Sequence, residues 1–246
     1  MSKKIKKSTV ASEPKRMTLI LQDTNEAILK IAGNGTMTID WGDGSSIQTH
    51  TLLGFEESEY EYCNVYDDCS THIITITGEN ITHLNCSNNQ LTRLDVSGNT
   101  GLTNLDCSHN RLKNLNVTKN TALTELDCSI NQLTNLNVSM NTSLEALMCI
   151  KNQLTNLDVS KNIALTNLSC SDNQLKSMNV SKNTALTFLN CRKNQLSAEA
   201  LNILFGTLNS TVVEGKILYI LNNPGTKTCN QKIATDREWK IDTSLI

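Results

Sequence analysis

Residues 102–122 read LTNLDCSHNRLKNLNVTKNTA, and the next 21 residues, 123–143, read LTELDCSINQLTNLNVSMNTS. Each stretch contains two near-copies of one half, LxxLxCxxNx followed by LxxLxVxxNxx. The unit recurs from Ile81 to Leu196 as five complete copies and the start of a sixth, which we number as coils one to six: 81–101, 102–122, 123–143, 144–164, 165–185 and 186 onward. A fixed period of this length indicates that equivalent positions of successive copies stack on one another.

Apolar and polar residues alternate within LxC and LxV, which is the pattern of a strand with one buried face. We therefore expect a mainly β solenoid of about six coils, with two short strands per coil and coils about 4.8 Å apart. One coil buries too little apolar surface to offset its lost chain entropy, so it needs neighbours and a cap at each end. The positions predicted to be buried are, in coil three, Leu123, Leu126, Cys128, Leu133, Leu136 and Val138.

Two asparagines close the two halves of each coil, and a cysteine recurs every 21 residues. An amide donates two hydrogens and also accepts, so we expect both asparagine rows to point inward and to satisfy turn backbone. Side chains in a ladder point in parallel, so the cysteines are predicted to be buried thiols that behave as small apolar groups. The rows are Asn89, Asn110, Asn131, Asn152, Asn173 and Asn194; Asn99, Asn120, Asn141, Asn162 and Asn183; and Cys86, Cys107, Cys128, Cys149, Cys170 and Cys191.

The unit LxxLxCxxNxLxxLxVxxNxx resembles the leucine-rich repeat, whose hallmark is LxxLxLxxNxL, in the short nested form found in bacterial proteins. The resemblance covers 81–196, nearly half of the chain. It implies a solenoid that binds proteins or other macromolecules on its exposed strand surface and that has no catalytic residues. It also implies an extracellular or cell-surface location.

The segment 17–80 contains short alternating runs broken by Gly, Asn and Asp, which predicts a small, sandwich-like antiparallel β domain. Its DWGDGS stretch, Asp40 to Ser45, predicts a hairpin turn and resembles the WDFGDG motif of PKD-type immunoglobulin-like domains, although the Phe is missing. Residues 1–16 carry six basic side chains and one acid, so we expect a disordered basic tail.

The segment 197–246 breaks the repeat and is predicted to form an α/β cap. Ser197 is a suitable N-cap for an amphipathic helix, and 216–221, KILYIL, fits a last strand. The remainder through Trp239 is predicted to cover the open end of the core, which would otherwise present an unpaired sheet edge. The apolar stripe of the helix is Leu201, Leu204, Phe205 and Leu208.

Composition excludes several classes of function. A net charge of −2 and 4% aromatic residues disfavour a nucleic-acid binder, and no apolar run is long enough to span a membrane. We expect no export signal in the opening residues, so either the protein stays in the cytoplasm or a signal has been removed. With four histidines at no metal spacing and no nucleophile or phosphate motif, we expect no enzyme, cofactor or metal.

Two questions stay open at the level of the sequence. Cys63 and Cys69 either form a local disulfide in an oxidising compartment or remain free thiols, and the oligomeric state is not predicted.

The outward positions of the first strand row, the third, fifth and seventh of each coil, are polar in most coils. Coil four instead places apolar Ala146, Met148 and Ile150 there, and Ile130 and Phe188 occupy nearby outward positions. Exposed apolar groups that interrupt a polar pattern mark interfaces, so we predict recognition of a protein or glycan at these residues. Neutral drift in a tolerant repeat is the alternative interpretation of the patch. The alternative function is a structural spacer, with recognition by the N-terminal β domain.

Overall fold

The computed structural model describes residues 15–54, 60–211 and 214–242, and all thirteen strands within these residues belong to one hydrogen-bonded sheet. The N-terminal strands are β1 (Arg16–Leu21), β2 (Glu26–Asp40), β3 (Gln48–Leu53), β4 (Tyr60–Val65), β5 (His72–Asn85) and β6 (Leu91–Asp95). The later elements are β7 (Asn104–Asp106), β8 (Glu125–Asp127), β9 (Ala146–Met148), β10 (Asn167–Ser169), β11 (Phe188–Asn190), α1 (Ala198–Thr207), β12 (Ile217–Tyr219), α2 (Lys232–Thr235) and β13 (Lys240–Asp242).

The predicted solenoid is confirmed as a parallel ladder. The end of β5 pairs with β7, and each following strand from β8 to β13 pairs with the one before it. The ladder has eight turns, two more than the repeat pattern predicts. The extra turns form because the cap keeps the strand register, with Leu189 opposite Leu218 and Leu218 opposite Ile241.

The inward positions are also confirmed. In coil three all six predicted core side chains are at most 5% exposed, and the equivalent side chains of the neighbouring coils are buried in the same way. The leucine, cysteine and valine rows therefore form one continuous apolar column along the ladder.

The prediction of a second strand in each coil is correct for coil one, where this strand is β6, and wrong for the later coils. In coils two to six, the residue just before each second half donates one backbone hydrogen bond to the preceding coil, for example from Gln132 N to Leu112 O at 2.9 Å. The next backbone N–H, that of Leu133, donates instead to the Asn152 side chain. At this point the acceptor is a side-chain amide and not the backbone of a neighbouring coil. The second halves of these coils therefore do not form a continuous β-ladder.

The N-terminal strands, predicted to form a small, sandwich-like β domain over 17–80, are hydrogen-bonded into the same sheet as the solenoid. β5 runs through position 80, and it pairs with β1 and β2 at its start and with β2 and β7 at its end. β1 also pairs with β6 and directs Met17, Leu19 and Leu21 into the core, which closes the N-terminal end of the apolar column. A single long strand thus joins the two parts into one sheet. The resemblance to PKD-type domains stays a prediction.

The predicted disordered tail included residues 15 and 16, but these two residues are part of the fold. Residues 1–14 lie outside the described residues, whereas Lys15 O accepts from Gly78 N at 3.1 Å and Arg16 pairs with Thr77 in β1. Backbone pairing with β5 fixes these two residues despite their charge. The predicted turn is present, with Asp40 Oδ1 accepting from Gly42 N at 3.0 Å.

The C-terminal segment folds as the predicted cap. Ser197 caps α1 by accepting from Ala200 N, and the apolar stripe of the helix is buried. Trp239 is fully buried. The sequence does not predict the burial of Lys216, which is only 2% exposed. Its Nζ donates to Thr211 O at 2.7 Å and to Arg237 O at 2.6 Å. This ammonium group ties together the segments before and after β12.

Candidate functional site

The outward face of the ladder consists of the third, fifth and seventh positions of successive coils. Parallel pairing sets Glu125 beside Ala146 and Asp127 beside Met148, and on the other side of coil four it sets Ser169 beside Met148. Along the ladder, this face is therefore acidic in coils two and three, apolar in coil four and small and polar in coil five.

Four of the five predicted site residues lie together. Ala146, Met148 and Ile150 are half-buried on or just after β9, and Ile130 N donates to Ile150 O at 2.7 Å. We call Ile130, Ala146, Met148 and Ile150 the coil-four patch. Its members are held by the ladder backbone, so their positions do not depend on a loop.

Phe188 lies apart from the coil-four patch because coil five, with its polar outward side chains, intervenes between β9 and β11. The Phe188 ring packs instead against Tyr219 of β12, with ring centroids 5.6 Å apart. The repeat pattern does not place Tyr219 on this face, because α1 interrupts the repeat and Tyr219 follows its ladder neighbour Asn190 by 29 residues rather than 21. The alternation in KILYIL was the available signal.

Ile130 adopts an unfavourable backbone conformation. The eighth position of every coil has a positive φ, and at Ile130 it is 54°. This conformation costs an ordinary L-residue about 1–2 kcal/mol and is least suited to β-branched side chains. Ile130 is the only β-branched residue in this row, whose other members are Asn88, His109, Lys151, Asp172, Lys193 and Asn222. The sequence thus keeps a strained apolar residue beside Ile150.

Coil four also lacks a local hydrogen bond that other coils make. In coil three, Asp127 Oδ1 accepts from Ser129 N at 2.8 Å, but the thioether of Met148 offers only a weak acceptor at the equivalent position. Ile150 N donates instead to Ser129 Oγ at 3.2 Å. Meanwhile the inward residues of coil four, including Leu147 and Cys149, match the repeat and are fully buried. The departures on this strand are therefore confined to its outward side.

Carboxylates line the groove beside the coil-four patch. The groove encloses about 510 Å³, and its lining includes Asp106, Glu125, Asp127 and Met148. Burial raises the pKa of Asp127, and the neighbouring Asp106 raises it further. Among the described residues, none of these three carboxylates is paired with a Lys or Arg side chain. The groove therefore presents three carboxyl groups without a Lys or Arg partner next to apolar surface.

The thiols of the cysteine row are expected to react slowly. All six stacked thiols are buried, and burial raises their pKa values, that of Cys191 to about 12. The described cysteines are all free thiols, and Cys63 and Cys69 are exposed, so the structure contains no bridge between those two. Within residues 15–54, 60–211 and 214–242, no group of three His, Cys, Asp or Glu side chains is arranged to hold a metal ion. Neither helix of that part of the chain has the length and apolar character needed to cross a membrane.

No family model and no curated protein matches the chain. Among solved structures, it is similar to the functional domain of InlJ from Listeria monocytogenes, described as including a cysteine ladder, at 34% identity over 65% of this chain and 39% of that one, with a TM-score of 0.49. A leucine-rich repeat protein of Leptospira interrogans matches at 22% identity over 60% and 38% of the two chains, with a TM-score of 0.51. The internalin InlF of L. monocytogenes matches at 22% identity over 66% and 59%, with a TM-score of 0.41.

These structural neighbours are bacterial leucine-rich repeat proteins, and the likeness to the Leptospira protein shows that this chain has a leucine-rich repeat fold. The matched region spans between 38% and 59% of the length of each neighbour. The outward face of the ladder is accordingly the exposed strand surface of a leucine-rich repeat solenoid.

Proposed function

We propose that this protein is a non-enzymatic recognition module that binds a macromolecular partner through the outward face of its solenoid, centred on the coil-four patch. The leucine-rich repeat fold, which presents an exposed strand surface, supports a binding role in general. The patch supplies the specific location, because apolar groups at the centre of a polar surface are characteristic of binding sites.

The observation that carries the proposal is the local cost of the patch. Ile130 is held at φ 54°, and Met148 forgoes the carboxylate acceptor that coil three uses. Unfavourable local geometry that the surrounding fold enforces is typical of functional sites. In the other coils both positions are polar, with Asn, His, Lys or Asp at position eight and Asn, Asp or Ser at position five.

The proposal is tested by reverting the patch to the residues of coil three. Met148→Asp with Ile150→Ser restores the acceptor and the short side chain that Asp127 and Ser129 provide, so the fold is retained. A photo-crosslinking residue at position 148 identifies the partner, and the same residue at position 135, on the exposed second half of coil three, is the control. Calorimetry with the purified partner then measures both proteins.

We expect the reverted protein to bind the partner at least about tenfold more weakly, because the patch supplies the central apolar contacts. Its melting temperature should equal that of the original protein or exceed it. Equal affinity of the two proteins would refute the assignment of the patch.

A second candidate function is that of a spacer whose N-terminal β strands bind the partner. It is favoured by large apolar side chains exposed on that part of the chain, Ile47, Leu53 and Val65, which are 61%, 75% and 67% exposed. Deleting coils three and four, residues 123–164, in register removes the whole coil-four patch and therefore distinguishes the two functions. A spacer keeps its affinity for the partner after the deletion, whereas the proposed recognition module loses it.

A further inference from the structure

A second hollow adjoins the coil-four patch, on the side of coil six. It encloses about 260 Å³, and Ile150 of the patch belongs to its lining. We call this hollow the Arg192 pocket; its other lining residues are Ser171, Asp172, Asn190, Arg192 and Lys193. Ile150 and Arg192 are two coils apart, which is about 10 Å at the spacing of neighbouring strands. A group bound at Arg192 therefore lies close to a group bound on the coil-four patch.

Arg192 departs from the repeat in the same row as Ile150. The seventh position of the coil is serine in coils one, two, three and five, isoleucine in coil four and arginine in coil six. Arginine side chains are usually exposed, but Arg192 is only 8% exposed. The seventh row thus contains two departures from serine, and both line the Arg192 pocket.

The guanidinium of Arg192 has no partner among the residues that the structure describes. Only the backbone atoms of Arg192 are hydrogen-bonded there. Its N donates to Asn190 Oδ1 at 3.3 Å, and its O accepts from Asn194 Nδ2 at 3.1 Å and from Asp172 N at 2.9 Å. The carboxylate in the lining, that of Asp172, lies 3.8 Å from Lys193 Nζ instead. A buried cation without a counter-charge is unfavourable, and an anion bound in the pocket would compensate it.

The lining of the Arg192 pocket suits a carboxylate. A guanidinium presents a planar fork of donors that binds a carboxylate through two parallel hydrogen bonds. Asn190 Oδ1 already accepts from Arg192 N, which leaves the amide N–H groups of Asn190 as donors to a ligand. The hydroxyl of Ser171 is a further donor, and the ammonium of Lys193 adds a second positive charge.

The two hollows that flank the coil-four patch differ in charge. The lining of the groove that includes Met148 contains Asp106, Glu125 and Asp127. The lining of the Arg192 pocket contains two cations and one carboxylate. An acidic group on a partner that covers the patch is therefore favoured on the side of coil six and disfavoured on the side of coil three.

From these observations we propose that the Arg192 pocket binds an aspartate or glutamate side chain of a protein partner, and that a neighbouring aliphatic side chain of the same partner lies on the coil-four patch. The inference rests on the proposed function and adds the class of the partner and Arg192 as a residue that determines specificity. A protein segment supplies both groups, because in an extended segment side chains two residues apart lie on one side, about 7 Å from each other. A phosphate or a uronic acid supplies only the anion.

The test titrates the full-length chain with short peptides. The probe is acetyl-Leu-Ser-Glu-amide, and acetyl-Leu-Ser-Gln-amide is its neutral counterpart. Binding is followed by NMR through the amide resonances of Ile150 and Arg192, with Arg192→Met as the variant that keeps the apolar stem and removes the charge. Lys176→Thr is the matched control, since it removes the same charge from the exposed second half of coil five and installs the residue of coils one, three and four.

We expect the glutamate peptide to bind the unsubstituted protein at least about tenfold more tightly than the glutamine peptide. Arg192→Met should abolish this preference, and Lys176→Thr should retain it. The melting temperature of Arg192→Met should equal or exceed that of the original protein, because a buried cation without a partner is removed. A lower melting temperature would assign Arg192 to the stability of the fold and overturn the proposal.

Three other results would also overturn it. They are equal binding of the two peptides to the unsubstituted protein, a preference for the glutamate peptide that survives Arg192→Met, and tighter binding of inorganic phosphate or glucuronate than of the glutamate peptide.

Met148→Ser with Ile150→Ser separates this inference from the proposed function, because it removes the apolar groups of the patch without adding charge. Both substitutions install the residues of coil five, Ser169 and Ser171. If this variant binds both peptides more weakly while Arg192→Met changes neither, the pocket is refuted and the recognition patch stands. If Arg192→Met abolishes the preference while the serine variant binds as the original does, the anion site stands and the patch is refuted. If neither variant changes binding, both proposals fail.

Discussion

The two asparagine rows have unequal energetic roles, which a pair of substitutions within one coil can measure. Asn152 Nδ2 donates to Cys128 O, Cys149 O and Ile150 O, at 3.0, 3.3 and 3.3 Å, and its Oδ1 accepts from Leu133 N at 2.9 Å. Replacement by alanine removes all four bonds and leaves the buried Leu133 N–H without a described acceptor. A buried donor without an acceptor costs about 1–3 kcal/mol, in addition to the net value of the other bonds.

Asn162, in the second row, makes fewer bonds. Its Nδ2 donates to Val138 O at 2.9 Å and to Asn141 O at 2.8 Å, and its buried Oδ1 has no partner. Both carbonyls keep another donor after replacement, Asn141 N for Val138 O and Leu144 N for Asn141 O. Asn162→Ala therefore creates no orphaned group and removes one unsatisfied oxygen.

We expect Asn152→Ala to lower the free energy of unfolding by about 3 kcal/mol and Asn162→Ala to lower it by about 1 kcal/mol or less. Urea unfolding followed by far-ultraviolet circular dichroism measures both, and each variant is the size-matched control of the other. A loss for Asn162→Ala equal to or larger than that for Asn152→Ala would refute this reasoning.

Three further predictions concern the thiols, the cap and the groove. A thiol reagent added to the native protein should label the exposed Cys63 and Cys69 rapidly and leave the six buried ladder thiols unlabelled until denaturant is added; rapid labelling of the ladder would contradict their burial. Lys216→Met should lower the free energy of unfolding by about 1–3 kcal/mol in urea titrations, because the partly buried carbonyl oxygens of Thr211 and Arg237 lose their donor. A neutral effect would show that the ammonium is dispensable. Folding raises the pKa of Asp127, so ionisation of this carboxyl destabilises the folded state as the pH rises above the ordinary pKa of an aspartate. Asp127→Asn should therefore become more stable relative to the original protein between pH 3 and pH 7. Thermal melts that show no such gain would oppose this prediction.

The sequence is sufficient to predict the core because every coil repeats the same inward residues. Leu126, Cys128 and Val138 are buried as expected, and the asparagine rows face the turns. The number of strands per coil, in contrast, is not predictable from the sequence. LxC and LxV have the same alternation, but alternation indicates which side chains are buried and not which backbone groups pair. The capture of Leu133 N by the Asn152 amide is therefore visible only in the structure.

The candidate site was partly predictable for a similar reason. Ala146, Met148 and Ile150 stand out because they interrupt a polar row. The strain at Ile130 is not apparent from the residues at position eight, which vary in size, charge and polarity and do not include the glycine that usually marks a positive φ. Tyr219 is not predictable from the repeat, because the α1 insertion lengthens its distance in sequence from Asn190 while the strand register continues.

The joining of the N-terminal strands to the solenoid also required the structure. The runs on either side of position 80 each fit a short strand, and the Gly and Asn between them indicate a turn. In the fold, β5 passes straight through, because β2 pairs with it on both sides of that point and accommodates the irregularity by two shifts of register.

The central claim, that the coil-four patch is kept for recognition at a cost in local stability, is tested most directly by Ile130→Asn, which installs the residue found at the equivalent positions 88 and 222. Urea unfolding and calorimetry with the partner are carried out on the same preparation. We predict that the free energy of unfolding rises by up to about 1 kcal/mol, as the backbone strain is relieved, while affinity falls. A variant that is less stable than the original, or that binds the partner equally well, would contradict the claim.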